Sequence, residues 1–118
     1  MTTNKIPEIS PTEAQQKISS GALLVDVRES DELEQLAYDV PKIVHLPISE
    51  FEQRYQELPK DQELVMVCRS GGRSLKAANF LLNHGFNQVC NLQHGIVHWA
   101  QTGQPTIGDP NTVLKRQP

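Results

Sequence analysis

ELVMVCRSGGRSLKAANFLLNHG, residues 63–85, changes character twice within its length. The opening ELVMVC is a short apolar run that predicts a buried strand ending on Cys68. From Leu75 onward the apolar residues recur at helical spacing, with Leu75, Ala78 and Leu82 flanked by Ala77 and Leu81. Gly85 stands where such a helix stops. Only CRSGGRS separates the two patterns, with Arg69 and Arg73 on either side of Ser70, Gly71 and Gly72.

The rest of the chain repeats that alternation. ALLVDVR (22–28), KIVHLP (42–47) and NQVCNL (87–92) read as further short strands. SPTE places Ser10 at a helix N-cap, Pro11 at the first helical position and Glu13 where a capping box needs it. SEFE repeats the signal with Ser49 and Glu52, and HGIVHWAQTG (94–103) reads as a last helix stopped by Gly103. Buried strands alternating with helices predict an α/β fold with a central, mostly parallel sheet covered on both faces. One domain is expected over 1–106. The polar, Pro-containing remainder, 107–118, reads as a flexible C-terminal tail.

A length of 118 residues suits one domain, and 37% hydrophobic with 21% charged residues suits a single core. The formal net charge of −3 gives no overall basic field, so neither nucleic acid nor a membrane surface is an expected partner. No apolar run approaches the ~20 residues of a membrane span. The N-terminus has no apolar signal-like core, and two cysteines make no disulfide framework. The expected address is cytoplasmic.

An anion site must therefore be local, and Arg69, Arg73 and Lys76 form such a cluster. The glycines allow successive amide N–H groups to turn inward as an anion nest. The N-terminus of the following helix adds its positive end at the same point. In open parallel sheets, ligands bind beyond the carboxyl ends of the strands, which puts Asp26–Arg28 and Cys68–Ser74 on one side. Cys68 at the strand–loop junction then reads as a nucleophile, whereas Cys90, with no cation beside it, reads as core. Asp26 has two readings, a brace for the loop backbone or half of a local ion pair with Arg28. Arg28 is either that partner or a source of positive potential for the site. His94 and His98, four apart, read as helix-face residues rather than a metal pair, and Trp99 reads as a core anchor.

At these residues the chain resembles the rhodanese family of single-domain sulfurtransferases, over about 9–106. LLVDVRES is similar to the family's strand ending in Asp-Val-Arg-Glu, CRSGGRS with AANFLLNHGF to its active loop and helix, and NLQHGIVHWAQTGQP to its closing segment. The resemblance implies a rhodanese-like three-layer sandwich and a cysteine cycling between thiol and persulfide. Cys68 would take sulfane sulfur from a donor such as thiosulfate and release sulfite. Cyanide or a thiol, possibly borne by a protein in a sulfur relay, would remove it. Arg69 and Arg73 would orient the donor's sulfonate, Ser70, Gly71, Gly72 and Ser74 would complete the substrate cradle, and Asp26 and Arg28 would support it. Neither metal nor cofactor is implied. The chain departs from the family pattern at Tyr38, Asp39 and Lys42, where the family has Gly, His and Gly, and at His94, where it has Gly. Two other readings compete. A cysteine phosphatase or arsenate reductase needs its arginine six positions after the cysteine, but that position is Ser74. A non-catalytic sulfur-carrier or binding module would keep the fold.

Overall fold

A computed structural model describes residues 6–114. Five parallel strands form the central sheet: β1 (Glu8–Ile9), β2 (Leu23–Asp26), β4 (Ile43–His45), β5 (Leu64–Val67) and β6 (Val89–Leu92), in the order β1-β6-β5-β2-β4. The central position of β5 explains its unbroken apolar sequence, since all four of its residues are buried. Its neighbours are in register with it, Asp26 opposite Val67 and Asn91 opposite Met66. The expected α/β architecture is thus the observed one.

Pleating sends alternate residues of β5 to opposite layers. Leu64, Met66 and then Cys68 face α3 (Phe51–Arg54) and α4 (Gly72–Leu82), packing with Phe51, Ala77, Ala78 and Leu81. Val65 and Val67 face α1 (Pro11–Ser19) and α5 (Gly95–Gln101), packing with Ala14, Ile18, Ile96 and Trp99. The Ser10–Glu13 capping box forms in full, with the Glu13 N–H donating to Ser10 Oγ and the Ser10 N–H to Glu13 Oε1.

Three expectations are corrected and one helix is added. SEFE does not cap a helix: 3₁₀ turns at Ile48–Glu50 and Tyr55–Glu57 flank α3, and the Ser49 hydroxyl donates instead to Glu29 at 2.9 Å. A short helix, α2 (Ser30–Gln35), follows the DVR strand. The last helix starts at Gly95, leaving His94 before it in a left-handed conformation, φ 64°. Finally, the segment after residue 105 is tied down as far as it is described. β7 (Thr106–Gly108) pairs antiparallel with β3 (Leu36–Tyr38), and α6 (Asn111–Leu114) follows. Apolar pairing partners 70 residues away hold β7, and nothing in its own composition announces them. Residues 115–118 of the expected tail lie outside the described residues. No helix among the described residues is long and apolar enough to cross a membrane.

Candidate active site

Parallel pairing brings the carboxyl ends of β2 and β5 side by side, so Asp26–Arg28 and the Cys68 loop share one rim of the sheet. Cys68 is the first residue beyond β5. The chain then turns through Gly71, whose φ of 102° suits glycine, and enters α4 at Gly72. A Cβ on Gly71 would meet the His94 backbone nitrogen at 3.0 Å, so close packing also excludes a larger residue there.

Within this turn the Cys68 sulfur is an acceptor. The Gly71 N–H donates to Sγ at 3.1 Å, the Ser74 hydroxyl at 3.3 Å and the Ser74 N–H at 3.4 Å. The N–H groups of Arg69, Ser70, Gly72 and Arg73 have no acceptor among the described residues. Arg69, Ser70 and Gly72 are exposed, while Cys68, Gly71 and Ser74 are buried. A sulfur already held by three donors therefore belongs to a turn with four unclaimed N–H groups among the described residues, at the positive end of an 11-residue helix. Such a cup stabilises negative charge on sulfur and on whatever the sulfur bonds.

Three of the loop carbonyls are held by donors from other parts of the chain. Cys68 O accepts from the Tyr38 hydroxyl at 2.8 Å and the Ile96 N–H at 2.9 Å, and Arg69 O from the Val97 N–H at 3.2 Å. Gly71 O accepts from Asn91 Nδ2 at 3.1 Å. The start of α5 can reach the loop because Gly95 lacks a side chain: a Cβ there would come within 2.5 Å of the Arg69 carbonyl. Neither Tyr38 nor Asn91 is conspicuous in the sequence as a loop-bracing residue. Tyr38 is simply a departure from a family pattern, and Asn91 lies within a strand.

The charged residues divide. Asp26 and Arg28 form a buried bidentate pair, with Arg28 Nη2 donating to Asp26 Oδ2 at 2.7 Å and Nε to Oδ1 at 3.0 Å. Asp26 makes no bond to the Cys68 loop, so the ion-pair reading of these two residues is the one the geometry matches. Arg28 Nη1 donates to Leu36 O at 2.8 Å, and the guanidinium lies 5.3 Å from the Tyr38 ring centre. Arg73 turns away from the sulfur to a two-bond pair with Glu32, at 2.7 and 2.8 Å. That guanidinium holds the Glu32 carboxyl at about 2, well below the usual carboxylate range. Arg69 pairs with no carboxylate among the described residues and lines a narrow cleft of about 30 Å³ with Arg28, Glu32, Leu36, Thr112 and Val113. Lys76 is exposed on α4, and Cys90 lies within β6, away from this rim.

A family model described as a rhodanese-like domain matches residues 10–102. A sulfurtransferase of Allochromatium vinosum is 40% identical over 85 residues, covering 72% of this chain and 78% of that one. A thiosulfate sulfurtransferase of Pseudomonas syringae is 35% identical over 94 residues, covering 80% and 87%. The crystal structure of a rhodanese-related protein from Thermoplasma volcanium is similar with a TM-score of 0.78 at 26% identity, covering 87% of this chain and 99% of that one.

Proposed function

The chain belongs to the rhodanese-like sulfurtransferase family, and from that premise we propose that Cys68 carries sulfane sulfur from thiosulfate, or a similar small anionic donor, to cyanide or a thiol. The Cys68 thiolate attacks the outer sulfur of thiosulfate, the donor's S–S bond breaks, and sulfite leaves with the bonding pair. A persulfide anion remains on Cys68. Cyanide or a thiolate then attacks the outer sulfur, taking it away and returning the thiolate. This is covalent catalysis in two half-reactions.

The observation that carries this reading is the cup itself. Three donors already meet the Cys68 sulfur, and the N–H groups of Arg69, Ser70, Gly72 and Arg73, in the same turn and without an acceptor among the described residues, would receive further charge. Arg69, with no carboxylate partner among the described residues, would orient the donor's sulfonate through charge-assisted bonds. Arg73 supplies its backbone N–H, while Glu32 largely neutralises its side chain. The phosphatase reading is correspondingly weaker. A phosphoryl group needs a free arginine fork to clamp its oxygens, and the one arginine near the required position is committed to a carboxylate.

Thiosulfate and cyanide turnover to thiocyanate, with intact-mass measurement after thiosulfate alone, tests the proposal. The wild type should gain one sulfur on Cys68 and turn over, and Cys68→Ser should lose at least a thousandfold of the rate. A protein that gains sulfur but passes it to no acceptor would be a carrier module. Cys68-dependent hydrolysis of aryl phosphates with no sulfur gain would overturn the reading.

A further inference from the structure

We propose that Tyr38 is a positioning residue for sulfur transfer, its hydroxyl fixing the Cys68 carbonyl so that the Arg69 N–H faces the reactive sulfur. The proposal rests on the sulfur-transfer reading above. A trans peptide points its C=O and its following N–H in opposite directions. The carbonyl of Cys68 is directed toward Tyr38 and Ile96, both in the core layer that packs against α5. The side chain of Cys68 belongs to the opposite layer, with α4. The Arg69 N–H is therefore turned to the sulfur's side, and it has no acceptor among the described residues.

Two donors do what one cannot. With Ile96 alone, the peptide plane could rock about a single hydrogen bond. With the Tyr38 hydroxyl on the same oxygen at 2.8 Å, both lone pairs are engaged and the plane is fixed. Tyr38 is itself held on every side. Its ring meets Trp99 edge-on at 5.4 Å, its strand pairs with β7 opposite Thr106, and Arg28 bonds Leu36 O two residues earlier. Burial pushes its phenol well above the ordinary value, so the hydroxyl stays a donor.

Tyr38→Phe removes one oxygen and keeps the ring. Steady-state kinetics should show kcat about five- to tenfold lower, the loss of one neutral hydrogen bond, with the KM for thiosulfate within twofold because the Arg69 side chain is untouched. Amide NMR supplies a readout that packing alone would not move. In the wild type, thiosulfate loading should shift the Arg69 N–H resonance strongly, and in Tyr38→Phe that shift should shrink by at least half. Unchanged kcat in a folded variant would overturn the proposal. So would a wild-type Arg69 resonance indifferent to loading, which decides the matter even if Tyr38→Phe does not fold. A wild type that takes up no sulfur at all would instead remove the underlying function.

Discussion

The chain contains two cysteines that are almost equally hidden, Cys68 at 1% exposure and Cys90 at 3%. Burial does not distinguish them. Cys90 lies inside β6, facing the layer of α1 and α5, and its thiol points to Leu64 O at 3.7 Å. That environment offers an acceptor to the protonated form, and desolvation pushes the Cys90 thiol up to about 11. Cys68 lies one residue past a strand, facing the other layer, and its sulfur receives three donors. A cysteine buried among acceptors and apolar groups is kept a thiol. One buried among N–H groups is prepared for charge. The groups around each sulfur, donors at Cys68 and an acceptor at Cys90, set the two apart.

The strongest way to break the contrast is to spoil the donors while leaving the sulfur. Gly95→Ala would drive a methyl group against the Cys68 and Arg69 carbonyls, backbone on backbone, where no side chain can yield. Transfer should fall roughly a hundredfold or more, about 3 kcal/mol, with Cys68 still present. Sulfur transfer at the wild-type rate would mean that loop geometry is not what separates the two cysteines.

A second test sharpens the Cys90 side. A thiol raised to about 11 binds its proton more tightly folded than unfolded, so stability is full below the unfolded value and declines as pH rises toward 11. Urea unfolding between pH 8 and pH 11 should cost the wild type about 2 kcal/mol more than Cys90→Ala over the same interval. An equal loss in both proteins would show that Cys90 carries no such penalty.

The smallest effect concerns the charge at the rim. Glu32→Gln should release Arg73 and lower the KM for thiosulfate about three- to fivefold, as fits a partly exposed pair worth ~1 kcal/mol. It should also remove part of the acid sensitivity. With Glu32 held at about 2, the pair stabilises the fold above the ordinary carboxylate range, and that contribution is lost as pH falls toward 2. A raised KM would place Glu32 in donor binding.

The features legible in the sequence are those fixed by near neighbours. The Ser10–Glu13 capping box, the β5 run, the glycine turn and the α4 periodicity each lie within one turn or strand, and the structure has them all. The two cysteines could also be told apart, because a strand end followed by glycines and a helix is a local pattern. What was not legible depends on residues meeting across the fold. Glu32 is 41 positions from Arg73, and Tyr38 is 30 from Cys68. Arginine in a glycine loop suggests an anion site whether or not a carboxylate claims it. SEFE carried the right residues for a cap and failed because Glu29 offered Ser49 a better partner.

The braces on the loop carbonyls come from Tyr38, Asn91, Ile96 and Val97, which belong to three separate parts of the chain. None can act before β3, β6 and α5 have docked around β5. Contacts of such high sequence separation are slow to form, so the cup around Cys68 is complete only once these elements have docked. On the proposed function, the sulfur-carrying site is therefore finished only when the domain is. If Cys68 carries sulfur as proposed, a nascent or misfolded copy loads none, and sulfur uptake from thiosulfate would count folded molecules rather than cysteines.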